Sequence, residues 1–537
     1  MSPAPFVRLA RRYATLAALA PISVLGCGGG GADAPAATND SGVVDTGADS
    51  PADAGPDVGF SLAPGEVVEV AIDGTTASVR LATPAGNERF VAIVGSTRFD
   101  RSTKQLPYSF SFDPLEGAAA PKLLTGCSLG TDPWKSTPPP AETAPTGTAP
   151  AIGTVRTLQV STSSGTQSIQ AKVIAVGTSS VVWADVTPEH PANLDDAFVS
   201  AFLAEYDATI LPRERAIFGV ESDLDHDGHV GLVFTPLTHD TAVAFFLGCD
   251  LLSSLAGCDT GNAGEMIYLT PPDVIDPPYN TPAAMKEILA HETSHLIHFN
   301  RKVLRNKLSD WTDSGYMDEG IGGFAQDVIG YQAGNFYVTM AALDGINTFS
   351  LGDVLVDGAP YDTKRDGVLR GGGYLFVRWF YDRAGGDVAR TDGGIDGKGG
   401  PSLMRALLDA PASVAKTLPT VSGAAIGELG MDFYTTIAMS NRDEHGEAKV
   451  VNPCFSYLPA VDDPVTGKSR GADVFASFHG MAMKGPAVQT SDKIDGAIRA
   501  GGVEYVQIGA VAGQPEVDVT LTIDAAAPAA AGEVLVP

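Results

Sequence analysis

The chain has 537 residues, with 35 Lys and Arg against 64 Asp and Glu, which gives a formal net charge of −29 at pH 7. So acidic a surface excludes nucleic acid as the expected partner, because phosphate binding requires clustered basic side chains. The length allows two or three domains, and the 44% hydrophobic content is typical of a globular chain.

The first 26 residues have the pattern of an export signal. Basic residues among the first twelve precede the apolar run Tyr13–Leu25. The run is shorter than the roughly 20 residues that span a bilayer, which argues against a transmembrane anchor. The sequence Val24–Cys27 resembles the bacterial lipobox, in which the cysteine becomes the acylated first residue. This resemblance implies a lipid anchor on Cys27 and a place in the bacterial cell envelope.

Residues 27–59 are predicted to be a disordered acidic tether, because small and polar residues dominate and aromatic residues are absent. By resemblance to known lipoproteins, Gly28 after the cysteine implies sorting to the outer membrane. We therefore expect a surface-facing monomer that contacts the membrane only through its lipid.

Residues 60–152 are predicted to be an N-terminal β region. Alternating apolar and polar residues in Val67–Ile72, Ala77–Leu81 and Phe90–Val94 favour a small β sandwich. The Pro-rich segment 133–152 is expected to be a linker or an exposed loop.

Cysteine usage fits an oxidising compartment. Besides Cys27, the chain has Cys127, Cys249, Cys258 and Cys454, which allow three pairings. Cys249 and Cys258 bracket a short loop and are the predicted pair, which leaves Cys127 with Cys454 by elimination. The alternative is four free thiols.

Residues 153–460 are predicted to form a domain of their own, which contains the residues most informative about chemistry. Within them, Asp223, Asp225 and Asp227 resemble the first half of a calcium loop. The glutamate expected at the twelfth position is replaced by Phe234. Either a calcium site or a tight acidic turn before a buried strand explains these residues.

The main motif is His291-Glu292-Thr293-Ser294-His295, within a predicted helix that begins after Thr281. Positions four residues apart lie on one helix face, so both imidazoles can bind one ion. Zinc is the expected ion because it accepts neutral histidine nitrogen at about 2.0–2.1 Å. Glu292 can reach a metal-bound water as general base.

A catalytic zinc needs a third protein ligand. His298 lies about 10 Å along the helix axis from His291 and cannot converge on the same ion; we expect it at most near the site. Glu319 follows the motif by 24 residues, enough for a turn and a second helix, and is the predicted ligand. The alternative is that Glu319 and Asp318 only complement the dipole of their helix.

HETSHLIHFN followed by Trp311 and MDEGIGGFAQD resembles the hyicolysin-type neutral metallopeptidases, a branch of the gluzincins. The resemblance implies that His291, His295 and Glu319 bind zinc and that Glu292 is the catalytic carboxylate. The chain departs from the family at Asp318, where Asn is usual, and at Gly322 and Gly323. These glycines put the rigidity of the third-ligand helix in doubt.

The same resemblance implies two further features, and the position of Asp327, two turns after Glu319, suggests a third. Gluzincins place a Tyr or His opposite the zinc to stabilise the oxyanion; Tyr374 is the candidate and Tyr381 the alternative. An edge strand beside the zinc helix pairs with the substrate backbone, which suggests Glu265–Leu269 or Leu232–Pro236. Asp327 is either an orienting partner of a ligand histidine or a surface residue.

Residues 461–537 are predicted to be a C-terminal β region, since Val503–Ile508 and Val517–Ile523 alternate. The expected fold class is α+β: a gluzincin-like catalytic domain of β-sheet and zinc-binding helices, flanked by β-sandwich-like regions.

The predicted function is zinc-dependent hydrolysis of peptide bonds in extracellular proteins. One alternative is a surface binding or adhesive lipoprotein on a metallopeptidase scaffold without turnover. A second is a lipid-anchored structural protein that binds no metal.

Overall fold

The computed structural model describes residues 59–70, 75–99, 105–116, 121–124, 126–127, 129, 139, 141–255, 258, 261–277, 279–331, 335–356, 362–440, 452–475, 477–478, 481–490, 494–523 and 532–535. The predicted export signal, nearly all of the tether and Cys27 lie outside these residues. So do residues 71–72 of the first predicted strand and most of residues 133–140. No helix within the described ranges is long and apolar enough to cross a bilayer.

Strands of the predicted N-terminal and C-terminal β regions pair with one another and form one β sandwich. Its six-stranded sheet has the order Gln489–Thr490, Val503–Gly509, Arg89–Gly95, Gly532–Leu535, Val67–Glu69 and Lys122–Leu123. Its four-stranded sheet has the order Ile494–Arg499, Gln105–Ser111, Glu516–Ile523 and Thr76–Ala82. Val79 lies opposite Val519, and every second side chain of these strands enters the core between the sheets.

A second six-stranded sheet forms the base of the helical region within residues 153–460. Its order is Ala244–Phe246, Met266–Leu269, Val230–Phe234, Ser180–Asp185, Gly165–Val176 and Val155–Thr162. Three adjacent strands are parallel to one another: Met266–Leu269, Val230–Phe234 and Ser180–Asp185. The other neighbouring pairs in the sheet are antiparallel. Met266–Leu269 is buried along its whole length because both of its faces are covered.

The helices pack on one face of this sheet and against one another. They are Asp196–Glu205, Leu211–Ile217, Gly248–Leu251, Pro282–Phe299, Gly315–Ile329, Asn335–Asp344, Leu351–Leu355, Asp366–Arg383, Gly400–Asp409, Val414–Ser422 and Ile426–Met439. Short π-helical turns at Tyr206–Ile210 and Asn300–Leu304 and 3-10 turns at Pro236–Asp240 and Ile346–Thr348 join or extend them. Three two-stranded ribbons complete the described structure: Asp387–Ala389 with Ile395–Gly397, Val461–Asp462 with Ser469–Arg470, and Ser477–Phe478 with Met481–Ala482. The mixed α+β class is as predicted.

Two disulfide bonds are present, Cys249–Cys258 and Cys127–Cys454. Both pairings agree with the prediction from the sequence. The second bond joins residues 327 positions apart and ties the region after the N-terminal strands to the segment after the last helix. It therefore fixes the β sandwich to the helical region covalently.

The described part of the Pro-rich segment is held against the helical region. Glu142 accepts hydrogen bonds from Arg301 at 2.8 and 2.9 Å, from Arg305 at 2.7 Å and from the Val220 amide at 3.0 Å. Burial opposes ionisation of Glu142, but these partners lower its pKa to about 2. This end of the segment is thus anchored by charge.

Candidate metal centre

The histidine helix, Pro282–Phe299, carries the first two members of the site. Thr281 caps its start by accepting a hydrogen bond from an amide of the first turn at 3.3 Å, and Pro282 occupies the first helical position. His291 and His295 follow on one face, with ring centroids 4.7 Å apart. The four-residue spacing brings the two imidazoles together.

The glutamate helix, Gly315–Ile329, packs against the histidine helix and supplies the third member. Glu319 Oε2 lies 3.3 Å from His291 Nε2. One possible ligand atom from each of His291, His295 and Glu319 lies within 4.8 Å of the other two. The structure therefore assembles a cluster that could hold a metal ion from the three residues predicted as ligands.

The hydrogen bonds of His295 fit a metal ligand. Its Nδ1 lies 3.0 Å from Asp318 Oδ1, whereas its buried Nε2 has no hydrogen-bond partner. A carboxylate at Nδ1 holds one proton there, so the neutral imidazole would present its lone pair at Nε2. A buried acceptor without a partner, beside a second imidazole and a carboxylate, is what a divalent metal with nitrogen and oxygen ligands requires.

Asp318 is itself held by a second histidine. His298 Nδ1 lies 2.9 Å from Asp318 Oδ1, and His298 Nε2 lies 3.2 Å from Asp313 Oδ2. Both ring nitrogens of the fully buried His298 are therefore engaged, so it is not a ligand. Its part is to fix the carboxylate that orients His295, which explains an Asp at position 318.

Charge around His295 couples metal binding to proton release. Burial would lower the pKa of His295, but Asp318, Glu292 and Glu319 outweigh it and raise that pKa to about 10 in the metal-free protein. Burial would raise the pKa of Asp318, and its two histidine neighbours hold it well below the usual range. A metal must therefore displace a proton from His295, and its affinity should rise with pH.

Glu292 lies beside the ligands but faces the sheet. Its Oε2 accepts a hydrogen bond from the Phe246 amide at 3.0 Å. Burial raises the pKa of Glu292, and the neighbouring His291 and His295 oppose that shift only in part. A raised pKa moves a carboxylate toward the neutral range in which a general base is most effective.

Phe246 belongs to the edge of the second six-stranded sheet. Ala244–Phe246 is the outermost strand, paired antiparallel with Met266–Leu269 and packed against the histidine helix. The two strands proposed as an edge from the sequence are both interior, so that prediction is wrong. The edge strand is only three residues long, too short for a pattern of alternation to reveal it.

The glycines of the glutamate helix have packing reasons. A Cβ on Gly322 would lie 2.5 Å from Cε1 of His291 and 2.7 Å from both ring nitrogens. A Cβ on Gly320 would lie 2.7 Å from the carbonyl carbon of Gly373. These glycines allow a ligand ring and a neighbouring helix to touch the backbone, so they favour a closely packed site rather than a loose one.

The predicted oxyanion tyrosines lie away from the cluster. Tyr374 is buried and donates to Asp327 Oδ2 at 3.0 Å, and Asp327 lies eight residues, about 12 Å of helix, beyond Glu319. Tyr381 donates to Asp387 Oδ2 at 2.7 Å. The assignment of Tyr374, and of Tyr381 as its alternative, is therefore corrected: both hydroxyls serve internal hydrogen bonds.

Asp327 does not orient a ligand histidine. It accepts hydrogen bonds from Tyr374, from Arg378 at 3.1 Å and from the Gly471 amide at 2.7 Å, and it is fully buried. Both alternatives considered for it are wrong, since Asp318 has the orienting role and Asp327 is not at the surface.

Arg370 is the charged residue at the cluster that sequence reasoning missed. It lies in the arginine helix, Asp366–Arg383, and its Nη1 donates to Glu319 Oε2. Its Nε lies 3.0 Å from Asp366 Oδ1. A single arginine in a helix has no spacing signature, so only its position one turn before Tyr374 could have suggested it.

The Asp-rich turn brings a second set of carboxylates together. Atoms of Asp223, Asp225 and Asp227 lie within 4.8 Å of one another, so this cluster also could hold a cation. However, Asp223 accepts from the Gly228 amide at 3.0 Å and Asp227 from the His229 amide at 2.7 Å. These bonds shape a tight turn without any ion, and calcium here stays a prediction.

Comparison with models of known protein families gives no match to this chain. Comparison with curated proteins also gives no match. The functional argument therefore depends on the residues and geometry described above.

Proposed function

We propose that the protein is a zinc-dependent endopeptidase with His291, His295 and Glu319 as metal ligands. The observation that carries the proposal is the convergence of these three side chains around a buried imidazole nitrogen with no hydrogen-bond partner. Two imidazoles and one carboxylate are a known ligand set of catalytic zinc in peptidases, which keeps one position open. Zinc, when bound, polarises a carbonyl group and lowers the pKa of water to about 7.

Glu292 is the proposed general base. In peptide hydrolysis the water oxygen bonds to the carbonyl carbon, a water proton passes to Glu292, and the carbonyl π pair moves onto its oxygen. The C–N bond then breaks, and Glu292 gives the proton to the leaving nitrogen. Its position next to His291, and its hydrogen bond with the Phe246 amide, place the carboxylate beside the ligands for both transfers.

The edge strand Ala244–Phe246 supports a peptide as substrate. An edge strand offers unpaired backbone groups to an extended chain, which can add to the sheet. The strand lies beside Glu292, to which Phe246 donates, so a bound backbone would run past the proposed base. Proteins outside the cell remain the proposed substrates, with the enzyme anchored to the bacterial envelope through Cys27.

The catalytically inactive scaffold is the alternative function. Its main support from the sequence is the glycine-rich third-ligand helix. Gly322 and Gly320 lie at close contacts with His291 and with Gly373, so their presence is explained without loss of function. We therefore prefer the enzyme.

Zinc content tests the ligand set. We expect about one zinc per chain, by elemental analysis of protein from residue 28 onward, and loss of most of it in Glu319→Ala. Removing a ligand should lower the affinity for zinc by more than the roughly 10–100-fold that is typical when a residue supporting a ligand is lost. Hydrolysis of fluorescein-labelled casein by the zinc-loaded parent then separates enzyme from inert scaffold. Absence of zinc after reconstitution would refute the site.

Gly322→Ala tests the packing beneath the first ligand. The new Cβ would press on the His291 ring, so we expect zinc affinity to fall about 10–100-fold, as when a residue that supports a ligand is removed. Gly315→Ala is the matched control, because nothing lies within 4 Å of its added Cβ in the same helix. Chelator competition measures both; equal affinities would show that His291 can move without consequence.

A further inference from the structure

Arg370 reaches the metal cluster because the arginine helix and the glutamate helix cross at glycines. A Cβ on Gly373 would lie 2.8 Å from the carbonyl oxygen of Tyr316, and Gly320 is equally close to Gly373 from the other side. Helices that meet through backbone atoms lie closer than side chains would otherwise allow. Arg370, one turn before this crossing, is thereby placed beside Glu319.

Arg370 lies on the side of the cluster that faces solvent. The exposed fraction of the side chain is 16% for His291, 11% for Arg370 and 9% for Glu319, against 1% for His295. The three more exposed residues therefore form the mouth of the site. A substrate that approaches the cluster must pass a guanidinium.

Two carboxylates hold the guanidinium in this position. Asp366, one turn earlier in the same helix, accepts from Nε at 3.0 and 3.2 Å, and Glu319 accepts from Nη1. A planar guanidinium can hold one carboxylate with one edge and donate to a further acceptor with another. The two ion pairs thus hold the Arg370 guanidinium at the mouth of the site, and its role need not be limited to pairing with these two carboxylates.

We propose that Arg370 is a catalytic residue that stabilises the negative charge on the carbonyl oxygen of the scissile peptide bond. This inference rests on the proposed peptidase function. When the water oxygen bonds to the carbonyl carbon and the π pair moves to oxygen, the guanidinium donates a hydrogen bond to that oxygen. The electron pair on that oxygen then re-forms the carbonyl π bond, while the C–N bond breaks and the nitrogen takes its proton from Glu292.

The proposal assigns to Arg370 the role that the sequence suggested for Tyr374. Tyr374 donates to Asp327 instead, about two turns of the glutamate helix beyond Glu319. Loss of one preorganised donor to a developing oxyanion lowers kcat by about 10²–10³-fold. If Arg370 only held Glu319 in place, its removal would instead lower the affinity for zinc.

Arg370→Met tests these two roles in zinc-loaded protein. We expect zinc affinity, from chelator competition, to change by less than about threefold, whereas kcat should fall by about 10²–10³-fold with a small change in KM. In Arg370→Ala, added methylguanidinium should restore part of the activity. Arg365→Met is the control, because Arg365 also pairs with two carboxylates, Asp353 and Asp362 at 2.7 and 2.8 Å, but none of these is a proposed ligand.

A second readout does not require turnover. Affinity for a peptidyl phosphonamidate, whose tetrahedral anionic group imitates the oxyanion, should fall at least tenfold in Arg370→Met and remain unchanged in Arg365→Met. An inactive parent would refute the proposed function, and the phosphonamidate titration would still decide the role of Arg370. An active parent together with an active Arg370→Met, or a parallel loss of zinc and activity, would overturn the inference.

Discussion

Glu292→Gln is expected to bind zinc like the parent and to lose nearly all peptide hydrolysis. Glutamine keeps the size of the side chain and an oxygen that can accept the Phe246 amide, but it cannot take a proton from water. Loss of a general acid–base group lowers the rate by about 10²–10⁴-fold. Casein hydrolysis and zinc content, measured on the same preparation, check both parts of the expectation.

Glu287→Gln is the matched control for this substitution. Glu287 is a second buried carboxylate of the histidine helix, one turn before His291, and it is not part of the metal cluster. We expect it to retain activity within severalfold of the parent. If Glu292→Gln kept more than about a tenth of the parent activity, another group would have to be the base.

The sequence predicted the parts of the site that depend on local geometry. Residues four apart share a helix face, so His291 and His295 could be paired from spacing alone. The 24-residue gap to Glu319 was informative because it leaves room for a connection and the start of a second helix; in the structure it holds the end of the histidine helix, the π-helical turn Asn300–Leu304, a loop and the first residues of the glutamate helix. The rotation of that second helix is a tertiary property, and this is why Asp318 rather than Asp327 proved to orient His295.

The choice between Tyr374 and Arg370 could not be made from sequence for the same reason. The two residues are one turn apart in one helix, and either could have faced the cluster. The crossing at Gly320 and Gly373 decides that Arg370 is level with Glu319. The sequence periodicity of neither helix indicates where the two backbones touch.

The β sandwich shows a similar limit at longer range. Alternation correctly placed strands such as 77–81 and 517–523, because half of each strand is buried. Alternation within a strand carries no information on which other strand pairs with it in the sheet. Val79 lies opposite Val519, although most of the chain separates the two residues in sequence. The N-terminal and C-terminal β regions, which alternation alone cannot relate to each other, are therefore one folded unit.

A buried carboxyl group behind the site leads to a prediction about stability. Glu214 is completely buried in the helix Leu211–Ile217, and neither carboxyl oxygen has a hydrogen-bond partner. Burial raises the pKa of Glu214 well above its usual value of 4.5, and the charge of His295 offsets this only in part. In the metal-free protein burial therefore favours the protonated, neutral form of Glu214.

Glu214→Gln is expected to stabilise the metal-free protein at neutral pH and to have little effect near pH 4.5. Between the usual and the raised pKa, Glu214 is ionised in the unfolded chain and protonated in the folded one. The folded state then binds one proton more, so the parent loses about 1.4 kcal/mol of stability per unit of rising pH. The gain of the variant over the parent should therefore grow with pH until the pH passes the raised pKa of the folded state.

Urea unfolding in the presence of a chelator, at several pH values, measures this difference. Glutamine is neutral at every pH and has nearly the shape of the protonated acid, so the variant keeps the packing and removes only the cost of protonation. Glu189→Gln, at an exposed carboxylate, is the control and should give a curve parallel to that of the parent. A parallel curve for Glu214→Gln as well would mean that the folded protein accommodates an ionised Glu214. Because His295 is the charge that opposes its pKa shift, a polar environment would then extend from Glu214 to the proposed metal ligand.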